Sequence, residues 1–519
     1  MEPGPRPDIA PPSRALSIYL AVAGGAALFL AFPDAGIWPL APVGTTLAFL
    51  ALRRDHAGWN ALTGLVLGLT FLLPHLWWSY EATTVLPWIA LSALQAAFFA
   101  LFGATWTWTR RTPLVQRHLL LQALAFSVLW VAVEQFRSSW PFGGFAWARL
   151  GFSQAQSPLG HYAWLGSIPA VSLAVTLTGT LLAVTLITAR RTHRTPALAG
   201  AGTAVVLVLG GLLVPLSTDA QSGTLAVGAV QGNVAEPGLG SFANRGEVLQ
   251  NHVDGTFDLL DDVEPGELDI VLWPENGSDL DPQTTPDVAA DIDEAAQAVD
   301  APILVGAQEF PDTGGRYNVA LLWEPGVGVT DRYAKQRPAP FGEYIPMRGF
   351  VGLFTDQVDR VTNDMIAGDG PAVVDLDVPD LGRTVPLATI ICFEVAYDDT
   401  VQQSIRDGGE LLVVPTNNAS FGFTAESTQQ LAMSQLRAIE TGRSTVQIST
   451  VGVSGVIAAD GTMLEQTDLF TADQMIADLP LRTTITPAVF LGAWPELIIW
   501  GVALILLGTG VVASRRRRA

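Results

Sequence analysis

Eight apolar runs, each near the length of a bilayer crossing, constrain this chain more than any other feature. A spanning helix needs about 20 mostly apolar residues. Such runs fall at 15–32, 36–53, 59–79, 87–109, 118–136, 163–189, 197–216 and 490–513. The second is interrupted by Pro39 and Pro42. Seven precede an acidic stretch and one follows it. Charged residues make up 15% of the 519 residues and mean hydropathy is +0.35. A soluble enzyme usually carries about 25% charged residues. The residues ahead of the first run are rich in proline and are expected to be disordered. The first run has no obvious small-residue cleavage site and is followed by further runs, so it is read as a span rather than a signal peptide.

Arginine placement orients the runs. Short loops rich in Lys and Arg stay in the cytoplasm. Arg6 and Arg14 precede the first run, and Arg53 and Arg54 follow the second. Arg110, Arg111 and Arg117 follow the fourth, and Arg190, Arg191 and Arg194 follow the sixth. Arg515, Arg516, Arg517 and Arg518 follow the last. The loops at 34–36 and 80–86 carry no Lys or Arg. Both termini are therefore expected in the cytoplasm, with residues 217–489 outside. The expected organisation is a cytoplasmic tail at 1–14, seven spans over 15–216, an outer domain at 217–489, an eighth span at 490–513 and a basic tail at 514–519. Glu134 and Arg137, three apart on one helical face, can pair at the outer end of the fifth run. The aromatic stretch Trp140 to Trp147 beyond them reads either as an interfacial belt or as one wall of a lipid-binding chamber.

The outer region changes period. Apolar runs at 224–231, 269–273, 303–308, 319–323, 385–393 and 411–415 alternate with helical stretches near 245–262, 285–299, 399–407 and 425–441. Continuous apolar strands suit a sheet covered by helices, so a layered α/β sandwich is expected. Most of the net charge of −21 lies here. A nucleic-acid partner needs a basic footprint, which this surface lacks.

Three segments of this region carry chemistry. Leu272-Trp273-Pro274-Glu275-Asn276 ends an apolar strand with a carboxylate, at the edge where α/β active sites collect. Tyr333 to Pro346 is a loop stiffened by three prolines, and it holds Lys335 and Glu343. Lys335 is the sole lysine; every other basic side chain is arginine. Ala388 to Glu394 runs an apolar strand into Cys392, the sole cysteine, which excludes an internal disulfide. Each piece alone has a plain reading: a loop carboxylate, a solvated lysine, a small buried hydrophobe. Together a thiol, an ammonium and a carboxylate suffice for acyl transfer. The carboxylate can serve as general base, and the ammonium can favour the thiolate and then an oxyanion.

In this order the three segments resemble the nitrilase superfamily. Set among membrane spans, they resemble the apolipoprotein N-acyltransferase family in particular. The likeness extends to Ala31-Phe32-Pro33, Glu134 to Arg137, Gly151-Phe152-Ser153-Gln154, Gln231-Gly232-Asn233, Thr416-Asn417-Asn418 and Arg437 to Arg443. It implies a polytopic α-helical membrane domain of about eight spans plus an extracytoplasmic nitrilase-like αββα sandwich. It implies Cys392 as nucleophile, Glu275 as base and Lys335 at the oxyanion, with Glu343 supporting the lysine. Glu394 and Phe393 would shape the pocket beside the cysteine, and Trp147, Phe341 and Phe421 would contact substrate. Neither cofactor nor metal is implied. The implied partners are a phospholipid acyl donor, a diacylated lipoprotein acceptor and the bacterial plasma membrane, with a monomer as the working form.

The sequence departs from the family pattern in three places. Phe393 stands where tyrosine is common, Ser420 where tryptophan is common, and Gln430 where histidine is common. Two further readings stay open on the residues: a membrane-tethered amidase that passes the acyl group to water, and a non-catalytic transporter or scaffold with a degenerate enzyme domain.

Overall fold

The computed structural model describes residues 10–189, 194–234 and 246–516. Arg6, Arg190, Arg191, Arg517 and Arg518, used above for orientation, lie outside the described residues. The chain divides into two compact units. One takes in the helical residues before Leu216 and those from Leu491 onward; the other is essentially Leu216–Phe490.

Among the described residues, six helices of the first unit are long and apolar enough to cross a membrane: Arg14–Ala31, Ala57–His75, Val85–Thr109, Leu119–Ser139, Pro158–Ala189 and Trp494–Arg516. The expected runs at 36–53 and 197–216 fall on shorter apolar helices, Leu40–Ala51 and Ala197–Leu213. Proline explains the first: Pro39 stands at the helix N-cap and Pro42 within the first turn, so the helix begins later than the apolar run. Helices in lipid associate by close packing of small residues rather than by a hydrophobic drive. Gly64 and Gly103 show this between Ala57–His75 and Val85–Thr109. A Cβ added at Gly64 would lie 2.1 Å from the Phe99 carbonyl oxygen, and one at Gly103 would lie 2.1 Å from that of Asn60. Both obstacles are backbone, which cannot swing aside.

Polar groups in this unit find partners across elements. Glu134 accepts from the Leu150 amide at 2.7 Å and from the Ser172 hydroxyl at 2.6 Å. Arg137 donates to the carbonyls of Trp147 at 2.7 Å and Phe145 at 3.1 Å. The two residues thus tie the fifth expected span to the aromatic segment beyond it.

Among the described residues the second unit is built on two six-stranded sheets. Its strands are β1 (Thr224–Gln231), β2 (Ile270–Leu272), β3 (Ile303–Glu309), β4 (Tyr317–Glu324), β5 (Gly328–Ala334), β6 (Val373–Val378), β7 (Arg383–Thr389), β8 (Leu411–Thr416), β9 (Thr445–Ser449), β10 (Gly455–Ile457), β11 (Met463–Gln466) and β12 (Asp473–Pro480). The orders are β12-β1-β2-β3-β4-β5 and β11-β10-β9-β8-β7-β6. In each sheet the central strands pair in parallel and the outer ones antiparallel. Helix Pro286–Val299 packs its apolar face, Val288, Ile292, Ala295, Ala296 and Val299, into a core with Val271, Trp273, Ile303 and Val305. The four expected helical stretches correspond to Glu247–Asp258, Pro286–Val299, Asp398–Arg406 and Glu426–Thr441.

Overpacking a close helix contact costs about 1–3 kcal/mol. Gly64→Val should therefore lower the thermal midpoint of the detergent-solubilised protein, while a valine at Gly202, where an added Cβ meets nothing within 4 Å, should leave it within error. Equal midpoints for the two variants would show that the helices do not pack through Gly64.

Candidate active site

Three strand ends converge on one charged cluster. The first is the end of β2. Its central place in a parallel sheet buries the strand, and the chain leaves through Trp273 and Pro274 to reach Glu275. Trp273 is fixed by its indole N–H, which donates to Thr256 at 2.9 Å. Glu275 is 4% exposed and fully engaged. Its Oε1 accepts from Asn318 Nδ2 at 2.5 Å and from Lys335 Nζ at 3.0 Å, and its Oε2 accepts from the Asn417 amide at 2.9 Å.

The second is the end of β5. Lys335 stands one residue past it, held by backbone bonds from its N–H to Asn318 at 2.9 Å and from Gly368 to its carbonyl at 2.8 Å. Its ammonium is 1% exposed and lies between Glu275 and Glu343, the latter at 2.6 Å. Burial pulls the ammonium pKa down, but the charges of Glu275, Glu343 and Cys392 outweigh it and hold the value well above the usual lysine range. Glu343 is itself anchored, accepting from the Ala339 amide at 2.6 Å, so the proline-rich loop closes on the lysine it carries.

The third is the end of β7. Three residues beyond it the chain turns sharply at Cys392, whose φ of +53° lies in the left-handed region that side-chain-bearing residues seldom adopt. A 3₁₀ turn, Cys392–Ala396, follows. Cys392 is half-buried and its thiol hydrogen-bonds Thr416. Burial pushes the thiol pKa well up; Glu275 adds to this and Lys335 opposes it. The sulfur is therefore a neutral thiol at rest, within the field of both a carboxylate and an ammonium.

Glu394 binds the second and third ends to each other. It is fully buried and collects donors from both. From the lysine arm come Tyr333 O–H at 2.9 Å, Gln336 N–H at 2.7 Å and Arg337 N–H at 3.0 Å. From the cysteine strand comes Ile391 N–H at 2.8 Å. Arg437 braces the same turn from behind, donating to the Val395 carbonyl at 2.7 Å and pairing with Asp398 at 2.7 Å. Thus Glu275, Lys335, Glu343 and Cys392 come together as expected, and Glu394 sits beside them as a brace.

The remaining expected contacts are dispersed. Phe393 is buried edge-on against Tyr397, with ring centroids 5.5 Å apart. Phe341 stands on the proline-rich loop with 44% exposure, and Phe421 on a short turn after β8. Trp147 belongs to the helical unit, buried and edge-on to Trp78 at 5.5 Å. Sequence reasoning passed over Asn318 and named Thr416 only within the stretch that carries the family likeness. Asn318 is the one polar side chain in the buried middle of β4, and that interruption was its signal.

A glutamine at Glu394 would have one acceptor oxygen where four donors converge, and each buried donor left unpaired costs about 1–3 kcal/mol. Glu394→Gln should lower the unfolding midpoint and make the loop 336–346 faster to cleave by protease than in the parent. An unchanged cleavage rate would show that Glu394 does not hold the loop.

Two family models match the chain. One, described as the apolipoprotein N-acyltransferase N-terminal domain, covers residues 24–181, and the other, carbon-nitrogen hydrolase, covers residues 250–486. An apolipoprotein N-acyltransferase of Mycolicibacterium smegmatis is 37% identical over 95% of this chain and 85% of its own length. Those of Azotobacter vinelandii and Pseudomonas putida are 31% and 27% identical, each over 96% of both chains. A thiol, a buried ammonium and a carboxylate at the strand ends of a carbon-nitrogen hydrolase domain, joined to helices that match the companion domain, thus agree with whole-length relatives above 30% identity: the chain belongs to the apolipoprotein N-acyltransferase family.

Proposed function

We propose that this membrane enzyme moves a fatty acyl chain from a phospholipid to the N-terminal amine of a diacylglyceryl-cysteine on a lipoprotein, through a thioester on Cys392. The observation that carries the reading is the Glu275–Lys335–Glu343 cluster beside Cys392, within a chain of this family.

The steps follow from the groups present. Glu275 takes the thiol proton as sulfur attacks the ester carbonyl of the donor. Negative charge gathers on the carbonyl oxygen, and the Lys335 ammonium stabilises it without giving up its proton, because two carboxylates hold it charged. The intermediate collapses, the C–O bond breaks, and the departing lysophospholipid oxygen takes the proton from Glu275. Acyl-Cys392 remains. The acceptor amine then attacks the thioester, Glu275 takes one of its protons, and the C–S bond breaks. Sulfur leaves with that proton and the amide is formed. Ester to thioester is near balance, whereas thioester to amide runs downhill, so the second half-reaction draws the first. Water has to be kept from the thioester, which suits a site whose two substrates are both lipids.

We place the catalytic unit, residues 217–489, outside the cytoplasm, with both termini inside and eight crossings. The support is arginine parity. With six crossings alone, Arg53, Arg54, Arg110 and Arg111 would face the side opposite Arg14; letting Leu40–Ala51 and Ala197–Leu213 cross as well puts every arginine cluster on one side. The 12-residue helix spans about 18 Å, and the apolar residues flanking it and local bilayer thinning have to make up the rest.

Two measurements test these statements. With acyl-labelled phospholipid, the parent should yield a labelled, hydroxylamine-sensitive adduct that a diacylated lipopeptide discharges into labelled product. Cys392→Ala should yield no adduct, and Glu275→Gln should slow its formation by about 10²–10⁴-fold. Label released only as free fatty acid would support a hydrolase instead. In a Cys392→Ser background, a cysteine at Asp312→Cys should react with membrane-impermeant maleimide on intact cells, and one at Asp55→Cys only after permeabilisation; the reverse pattern would invert the topology.

A further inference from the structure

Behind the cysteine lies a second buried carboxyl that the steps above do not use. Glu426 opens the helix Glu426–Thr441, which packs against the turn Cys392–Ala396. Its side chain is 2% exposed. Asn418 Nδ2 donates to Glu426 Oε2 at 2.7 Å and to Gln430 Oε1 at 2.8 Å. Thr416 Oγ1 donates to the same Gln430 oxygen at 2.8 Å, and Thr416 in turn hydrogen-bonds the Cys392 thiol. A continuous chain therefore runs from Glu426 through Asn418, Gln430 and Thr416 to the sulfur. Thr416 has one hydroxyl proton, committed to Gln430 while sulfur keeps its own. When the thiolate forms, that proton has to turn toward sulfur, and Gln430 Oε1 is left with its bond from Asn418. Gln430 Nε2 is buried with no hydrogen-bond partner among the described residues, so Asn418 and Thr416 alone fix the amide. The placement of Asn418 thus sets how well Thr416 can serve the thiolate.

We propose that Glu426 is a positioning residue for the nucleophile: as the neutral acid it anchors the Asn418–Gln430–Thr416 chain that ends on Cys392, and as the carboxylate it opposes the thiolate. The charged and polar groups that face it are Asn418 on its own side of the site, Glu275 from the end of β2 and Cys392 from the turn. Burial pushes the Glu426 carboxyl up to about 8, the hydrogen bond from Asn418 opposes the rise, and Glu275 adds to it. A raised carboxyl is neutral below that value and charged above it, so the penalty on the thiolate is absent at neutral pH and switches on as pH rises through about 8.

The proposal rests on Cys392 as the reacting thiol, but its test needs neither phospholipid nor acceptor. Cys392 is the only cysteine, so alkylation of the whole protein by iodoacetamide reports on this sulfur alone. In the parent, the logarithm of the alkylation rate should climb with a slope below one between about pH 7.5 and 8.5, where the two ionisations oppose each other. Glu426→Gln keeps an acceptor for Asn418 and cannot ionise. The ratio of variant to parent rate should rise at least about threefold from pH 6.5 to pH 9. A ratio that stays flat would mean a structural effect only and would overturn the proposal. If the variant does not fold, the parent decides: a single unbent titration overturns it and the bend upholds it. Loss of acyl transfer with the pH-dependent ratio intact would count against the phospholipid reading and not against this one.

Discussion

A single ammonium shut inside protein between two carboxylates organises this catalytic unit. An unpaired charge at the depth of Lys335 would cost several kcal/mol, so the lysine can be there only if Glu275 and Glu343 are there too. Those carboxylates in turn need donors. Asn318 and the Asn417 amide supply Glu275, and the Ala339 amide supplies Glu343. Each donor sits on a different piece of chain: β4, the end of β8, and the proline-rich loop. One buried cation therefore fixes the relative positions of both sheets and of the loop. Breaking a buried pair leaves an uncompensated charge, so loss of any member is felt by all.

The surplus of negative charge in that cluster also bears on the Cys392 thiol. Two carboxylates against one ammonium leave little to spare for a thiolate, and burial works in the same direction. Both effects favour the protonated thiol.

Legibility in the sequence tracked rarity and burial. Lys335 and Cys392 were visible because the chain holds one of each, and Glu275 because an apolar strand runs into it. The central strands β1 to β4, β7 and β8 were visible as continuous apolar runs. The outer strands were not: β6 alternates buried and exposed positions, and β12 mixes Asp, Gln and apolar residues at an edge. β9 was hidden for another reason. It is wholly buried yet reads Thr-Val-Gln-Ile-Ser, with Gln447 satisfied by Ser434 at 2.7 Å and by the Val453 carbonyl at 3.1 Å. No pattern of apolar residues announces a strand whose polar groups are satisfied across the fold. Glu426 was masked similarly, since an acid in the first turn of a helix reads as a partner for the helix dipole.

Glu394 separates two kinds of buried carboxylate that sequence alone treats alike. Glu275 accepts from the Lys335 ammonium as well as from Asn318 and the Asn417 amide. Glu394 instead gathers four neutral donors from the cysteine strand and the lysine arm. A carboxylate so saturated has no oxygen lone pair directed at a reacting atom, and protonating it would break bonds that hold two strand ends in register. Its place two residues after the cysteine suggests chemistry, but its bonds assign it to geometry. Glu394 thus ties the left-handed turn at Cys392 to the arm that carries Lys335.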